Sequence, residues 1–371
     1  MPNVSILDDI DRIKQVDKSN MLSFCVDASK HYGEAARLAK DVAIDYPTPK
    51  AIIVAGMGGS AIGGELAKDL TRDKIHVPVE VCREYSLPAY ADKTALVFVV
   101  SYSGETEESL SVLLDAVKRK CMIVCISSGG KLDELATRLN IPCLRVPSRM
   151  APRATLPYLF VPLPVLFEKM NLVSNVTSEI CETIKVLEQI SVANRPERPL
   201  NDEDSCAKTL ASQICGTIPA IYGFGFYRAV AQRFKTQFNE NSKVPAKWES
   251  FPELNHNEVV GWERLGKLAG FFSVVFIRDV GEPEAIRQRI EATKELLRKE
   301  TVKVFEVQGL GKGRLARMCS TICTGDFTSV YLAVLRGIDP TPVKTISLLK
   351  KRIRQSGLKD KVIRELQKIA A

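Results

Sequence analysis

No run of apolar residues in this sequence reaches the roughly 20 that a membrane-spanning helix needs. The longest, from Leu156 to Phe167, is broken by prolines and runs on into Glu168 and Lys169. The opening residues carry charge (Asp8, Asp9, Asp11, Arg12, Lys14) where a secretory leader would be apolar. A cytoplasmic location and no membrane partner are therefore expected. Ten cysteines are present, but none forms a C-x-x-C pair. Scattered thiols of this kind read as small buried hydrophobes. Cys319 and Cys323, one helical turn apart, belong on a core face, and Cys121 and Cys125 in one buried strand. Histidine is scarce: His31, His76 and His256 sit in unlike surroundings, so no three-histidine metal site is expected. Glu253-x-x-His256 has a metal-ligand spacing, yet it occurs once and follows Pro252. Also missing is a dense lysine–arginine run with interleaved aromatics, which argues against a nucleic-acid partner. The basic surplus, 52 − 44 = 8, is a mild attraction for anions. Lys350, Lys351, Arg352 and Arg354 read as a solvated helix face.

What remains is a globular composition. Hydrophobic residues at 45% and charged residues at 26% exclude disordered, collagen-like and rod-like chains. At roughly 150 residues per domain, 371 residues make two domains, each able to bury a core without staples. Ile10, Ile13, Val16, Met21 and Phe24 recur at helical spacing. Apolar strands at 51–55, 77–81, 95–100, 121–126 and 142–146 then alternate with helices at 60–72, 105–119 and 132–139. Such alternation means a parallel sheet buried on both faces, with right-handed crossovers. The grammar repeats later, with strands at 218–222, 268–277 and 302–308 and helices ending at Glu240 and at 283–299, 314–336 and 343–369. The expected class is α/β: two doubly wound, three-layer αβα parallel-sheet domains plus a C-terminal helix. The division reads as an N-terminal helical segment 1–45, a first domain 46–153, a helical bridge and linker 154–200, a second domain 201–340 and a C-terminal helix 341–371.

Ligands of open parallel sheets bind beyond the carboxyl ends of strands. One such end continues into Gly56-Met57-Gly58-Gly59-Ser60-Ala61-Ile62-Gly63-Gly64. Its glycines let the backbone approach an anion, and the following helix points free amides at it. They also fit a tight-packing turn, or a dinucleotide fingerprint as Gly56-x-Gly58-x-x-Ala61. The fingerprint wants an acidic residue at the end of the next strand, where Val81-Cys82-Arg83 stands. The second end continues into Ser101-Tyr102-Ser103-Gly104-Glu105-Thr106. Three hydroxyls at a helix start make a monophosphate cup without a lysine; helix capping by Ser103 is the plainer alternative. The turn from Ser127 to Leu132 reads as a helix entry.

Together GMGGSAIGG, SYSGET, SSGGKL, APRATLP, FNENSK, PELNHNE and GIDPTPVKTISLLK carry a resemblance. From about residue 20 to 371 the chain resembles the bifunctional phosphoglucose/phosphomannose isomerase family. That family has two sugar-isomerase (SIS) domains per chain and acts as a homodimer. The resemblance implies a hexose 6-phosphate substrate, no cofactor, and active sites shared between subunits. It implies that Gly59, Ser60, Ser101, Ser103 and Thr106 hold the phosphate. It makes Glu240 the base, has His256 assist ring opening and Arg153 steady the intermediate, and sets Lys350 beside the sugar ring. The residue types suit these tasks. One carboxylate can carry a proton between C1 and C2, an imidazole titrates near neutrality, and a fixed guanidinium balances enediolate charge. One position departs from the family: Val343 stands where a threonine is linked to mannose 6-phosphate use, with Thr341 and Thr345 either side. Glucose 6-phosphate activity is thus implied more directly than mannose 6-phosphate activity. The alternative is a non-catalytic phosphosugar-binding SIS regulator, but no DNA-binding segment is evident in residues 1–45. An aminotransferase would need an N-terminal cysteine nucleophile, where this chain reads Met1-Pro2-Asn3.

Overall fold

A computed structural model describes residues 4–202 and 205–370. The opening Met1-Pro2-Asn3 and the side chain of Arg354 lie outside the described residues. Helices α1 (Ile10–Val16), α2 (Met21–Val26) and α3 (Ala28–Lys40) come first. Then β1 (Ala51–Ala55), α4 (Gly59–Thr71), β2 (Val79–Cys82), β3 (Ala95–Val100), α5 (Glu107–Lys118), β4 (Met122–Ser127), α6 (Gly130–Arg138) and β5 (Cys143–Arg145) follow in turn. Next are α7 (Leu156–Phe160), α8 (Pro162–Lys169), α9 (Val176–Asn194) and α10 (Cys206–Ile214). The second series is β6 (Ile218–Phe224), α11 (Arg228–Gln237), β7 (Lys247–Phe251), β8 (Phe272–Arg278), α12 (Glu284–Lys299), β9 (Lys303–Gln308) and α13 (Arg314–Leu335). The last helices are α14 (Lys344–Ile353) and α15 (Leu358–Ile369).

The first sheet is wholly parallel, in the order β2-β1-β3-β4-β5. Its inner strands β1, β3 and β4 are buried along their whole length. Their unbroken apolar sequences are what a sheet covered on both faces requires. The second sheet is also parallel, in the order β7-β6-β8-β9. In both, the chain leaves an inner strand for one side and returns to the other, so the strand order reverses between β1 and β3, and between β6 and β8.

Contacts group the chain into two units. One contains the first sheet, residues 31–178 and 343–371; the other contains the second sheet, residues 1–30 and 179–342. Helices α1 and α2 thus belong with the second sheet, and most of α3 and the C-terminal helices with the first. In the first-sheet unit, Val362 and Leu366 of α15 enter the core cluster with Val97, Leu110, Leu113, Leu132 and Leu135. Helix α14, by contrast, has no buried residue. Gly63 lets α4 press against α7, since a Cβ there would lie 2.4 Å from the Leu159 carbonyl oxygen. A Cβ on Gly64 would likewise crowd Val54, lying 2.8 Å from its Cγ1. These two glycines serve packing, and only the front of the glycine motif faces the sheet edge.

In the second-sheet unit α13 is the core helix. Its length and composition would let it cross a membrane, but 89% of that stretch is buried within the protein. Its apolar character is masked in sequence because Thr321, Thr324 and Thr328 interrupt it. They are accommodated by bonding to carbonyls of their own helix, at 2.9, 3.1 and 2.7 Å. Cys319 and Cys323 are buried on α13 as expected, whereas Cys181 and Cys206 are exposed.

Several elements differ from the sequence reading. The single helix expected at 343–369 is two, because Gly357 turns left-handed (φ 67°) between them. Strand β7 was not anticipated; it is a polar edge strand, pairing only with β6, so it lacks the apolar run that reveals inner strands. Residues 266–271, partly expected as strand, form a 3-10 turn that leaves Leu268 and Phe271 exposed.

Truncating Leu366 to alanine should lower stability by about 2–5 kcal/mol, the usual range for a buried leucine. Urea unfolding of the Leu366→Ala chain checks this through the midpoint, and an unchanged midpoint would mean that α15 adds nothing to the core.

Candidate active site

Strands β1 and β3 lie side by side, with Ala55 opposite Val99. The segments that follow them leave the same carboxyl edge, where the strand order reverses. Ser101 is the first residue after β3 and is 1% exposed. Its hydroxyl donates to Thr106 Oγ1 at 2.9 Å. A bond from the Gly104 amide to the Ser101 carbonyl, 3.0 Å, closes the turn between them. Thr106 stands at the N-cap of α5 in extended geometry, yet its side chain makes no capping bond. Ser103 does not cap the helix either; its oxygen accepts the Glu105 amide at 3.2 Å. The hydroxyls of Ser101 and Thr106 are therefore turned toward each other, at a helix start whose amides suit an anion.

On the β1 side, Gly58 enters α4 with φ 53°, a conformation that suits glycine. Gly59 opens the helix and Ser60 is buried beside it. A Cβ on Gly59 would lie 3.2 Å from the Pro152 carbonyl oxygen and 3.9 Å from Arg153 Cα. The 3-10 turn Pro152–Thr155 thus leans on the start of α4. Arg153 is only 3% exposed, which sets it apart from an ordinary surface arginine. Tyr102 ties the β3 turn to the same segment, its phenol oxygen accepting the Met150 amide at 2.9 Å. Burial pushes that phenol's pKa up. Ser128 donates to the Tyr102 carbonyl at 2.7 Å, so the helix-entry turn at 127–130 buttresses the hydroxyl turn.

Glu240 and His256 belong to the second-sheet unit. Past α11 the helix widens into a π turn, Phe238–Ser242, that holds Glu240; such widenings recur at functional positions. Its neighbours fasten it to α13. Asn241 donates to Ser329 Oγ at 2.9 Å, and Ser242 to the Ser329 carbonyl at 2.6 Å. Lys243 folds back onto the Glu240 carbonyl at 2.5 Å and the Pro340 carbonyl at 2.8 Å. Earlier, on α11, Arg233 pairs with Asp326 at 3.0 Å; burial raises the pKa of that carboxyl despite the arginine. His256 ends the 3-10 turn Glu253–His256, anchored by the fully buried Leu254, and is itself exposed. Glu253 accepts a bond from Asn257 at 2.8 Å. Lys350 lies on the exposed helix α14 of the first-sheet unit. His31 pairs with the Tyr158 hydroxyl at 2.9 Å.

The second sheet offers the equivalent edge, with different chemistry. Asp279 is the first residue after β8, as Ser101 is after β3. Its carboxylate accepts from Tyr227 Oη at 2.6 Å, the Gly281 amide at 2.6 Å and Arg317 at 2.5 Å. Burial and the adjoining carboxylate push the Tyr227 phenol far up. An internal anion with its own donors occupies the place that corresponds to the hydroxyl turn. Sequence reading missed this trio, although setting Asp279-Val280-Gly281 beside Ser101-Tyr102-Ser103 by strand end would have exposed the contrast. Glu105, whose carboxylate accepts the Lys131 amide at 3.0 Å, has no role assigned from sequence although it stands inside the hydroxyl motif.

Residues 203–353 match the model of the bacterial phospho-glucose isomerase C-terminal SIS domain. The bifunctional phosphoglucose/phosphomannose isomerase of Caldicellulosiruptor bescii is 42% identical over 82% of this chain and 89% of its own length. The protein of that name from Aquifex aeolicus is 34% identical over 85% of this chain and 94% of its own. Among solved structures, a hypothetical protein of Thermus thermophilus superposes with a TM-score of 0.73, at 14% identity, over 93% of this chain and 94% of that one. That last likeness concerns the fold alone.

Asp279→Ala should destabilise the chain by about 3–5 kcal/mol, because it leaves Arg317 without its buried counter-charge. Thermal unfolding in formate or acetate should recover part of the loss, since a small carboxylate can re-enter between Arg317 and Tyr227. A variant as stable as the parent would show that the ion pair does not hold this edge closed.

Proposed function

The chain belongs to the bifunctional phosphoglucose/phosphomannose isomerase family and is an isomerase, and from that premise we propose how its residues divide the work. The substrates are glucose 6-phosphate and fructose 6-phosphate, with mannose 6-phosphate as a second aldose. The observation that carries the reading is the Ser101–Thr106 hydroxyl pair at the start of α5, at the strand reversal of the first sheet. Those hydroxyls, Ser60, Ser103 and the Gly59 amide receive the phosphate, where helix amides favour negative charge.

The chemistry begins with a closed sugar ring. His256 passes a proton between O1 and O5, opening the ring to the aldehyde or ketone. Glu240 then takes the proton from C2 of the aldose. The electron pair left on C2 forms the C1–C2 double bond and pushes the carbonyl pair onto O1, giving a cis-enediolate. The O2 hydroxyl proton passes to O1, and Glu240 returns its proton to C1 as C2 becomes the ketone carbonyl. A single carboxylate suffices because donor and acceptor carbons are adjacent and lie on one face. The fastening of Asn241 and Ser242 to Ser329 keeps the base from wandering. Arg153 balances the enediolate oxygens, and its burial keeps that charge effective. Lys350 borders the ring. C1 and C2 exchange oxidation levels, so the reaction itself requires no external oxidant.

The assembly belongs to the same proposal. The protein works as a cytoplasmic homodimer in carbohydrate metabolism, with Glu240 and His256 of one site coming from different subunits. The exposed placement of His256 on a turn supports the shared site.

Glu240→Gln should lower kcat by about 10²–10⁴-fold while leaving phosphosugar affinity close to the parent. Exchange of the C2 proton with solvent deuterium reads the step directly, and parental exchange in the variant would remove Glu240 as the base. Shared sites have their own test. Glu240→Ala and His256→Ala homodimers, each inactive, are mixed after reversible dissociation. About half the dimers should then be mixed under two-fold symmetry, each with one intact site, so roughly a quarter of parental activity returns. Zero activity with subunit exchange confirmed means that each site is built within one chain.

A further inference from the structure

We infer that Glu105 and Lys359 are positioning residues for the phosphate end of the substrate, an assignment that rests on the phosphate reading above. Glu105 lies inside the hydroxyl turn, between Gly104 and Thr106. One carboxylate oxygen accepts the Lys131 amide in the first turn of α6, at 3.0 Å. The other accepts the ammonium of Lys359, on α15. A single side chain therefore joins the turn, α6 and the C-terminal helix. The Lys359 side chain is 17% exposed and that of Glu105 39%, so solvent screens this pair less than a fully exposed one.

The surrounding backbone makes the pair consequential. A Cβ on Gly104 would lie 1.8 Å from the Gly129 carbonyl oxygen, and one on Gly130 would lie 2.4 Å from the Ser103 carbonyl oxygen. The hydroxyl turn and the entry to α6 are thus in direct backbone contact, and Leu132 donates its amide to the Gly104 carbonyl at 3.0 Å. Glu105 pins this contact from the turn side, and Lys359 holds Glu105 in place. Ser103 and Thr106 flank the pin closely enough that a small shift would misdirect both hydroxyls, and hydrogen bonds weaken steeply with misalignment. Helix α15 does not depend on the pair for its own docking: Val362 and Leu366 enter the core, and Lys118 pairs with Glu365 at 2.7 Å. Loss of the Lys359 charge loosens the turn without releasing the helix.

The experiment measures KM and kcat for fructose 6-phosphate, and the inhibition constant of inorganic phosphate, in the full-length chain. Lys359→Met should raise KM and the phosphate constant together by about three- to tenfold, as expected for a charge-assisted contact, with kcat falling less than either. Lys359→Arg, which keeps the charge, should recover most of the loss. Glu105→Gln, which keeps an acceptor for the Lys131 amide, should show the same split and serves if Lys359→Met does not fold. Lys118→Met removes the other ion pair of α15 and should leave the phosphate constant unchanged. If it raises that constant as much as Lys359→Met does, the effect is helix docking and the proposal is overturned. Ser101→Ala separates the remaining cases. A rise with Ser101→Ala but none with Lys359→Met overturns the positioning role and leaves the phosphate site standing. No rise with either removes the phosphate site, and the positioning role with it.

Discussion

Burial of a parallel sheet on both faces is the constraint from which the rest of this structure follows. Inner strands so placed must be apolar throughout, as β1, β3 and β4 are. Each must also be followed by a crossover that begins at the carboxyl edge. Where β1 leads one way and β3 the other, right-handed crossovers send α4 and α5 to opposite faces. Their starts remain as neighbours at one edge, where unpaired helix amides gather. The hydroxyls of Ser101 and Thr106 and the glycines before α4 stand at that edge, where the helix-start amides are presented.

The same scaffold occurs twice with opposite chemistry at its edge. Ser101 follows β3 with a neutral hydroxyl, held by a partner hydroxyl. Asp279 follows β8 with a charge, already satisfied by Arg317, Tyr227 and the Gly281 amide. A neutral cup can receive an anion; a site that holds its own carboxylate repels one. A fold alone therefore says little about where a ligand binds, and the side chain after the strand decides it.

Rigidity at the first edge comes from backbone contact. Gly104 and Gly130 allow two turns to touch at distances no Cβ would tolerate, and Glu105 adds a charged link to the C-terminal helix. The second-sheet unit fixes Glu240 by other means. A π turn projects it, and side-chain bonds from the two following residues to Ser329 hold the turn against the buried helix α13. A base that must meet one carbon and then its neighbour gains from such restraint, because misplacement of about 1 Å can cost two orders of magnitude in rate.

Much of this was legible in the order of residues. Strand and helix identity follow from apolar runs and their spacing. The two glycine and hydroxyl turns announce themselves by composition, and the motif set by itself points to the family. Polar pieces whose meaning depends on distant neighbours were hidden. The edge strand β7 is polar because only one side of it pairs, so no periodic signal marks it. Gly63 and Gly64 look like ligand glycines until Leu159 and Val54 are found against them. Arg153 reads as a loop arginine until the turn carrying it is seen buried beside Gly59. Glu105 and Lys359 are 254 residues apart, and local sequence carries no trace of a pair at that separation. Local periodicity sets the elements because it is a property of neighbouring residues. Only tertiary packing settles the roles of charged and glycine residues, because their free energies are set by what comes to surround them.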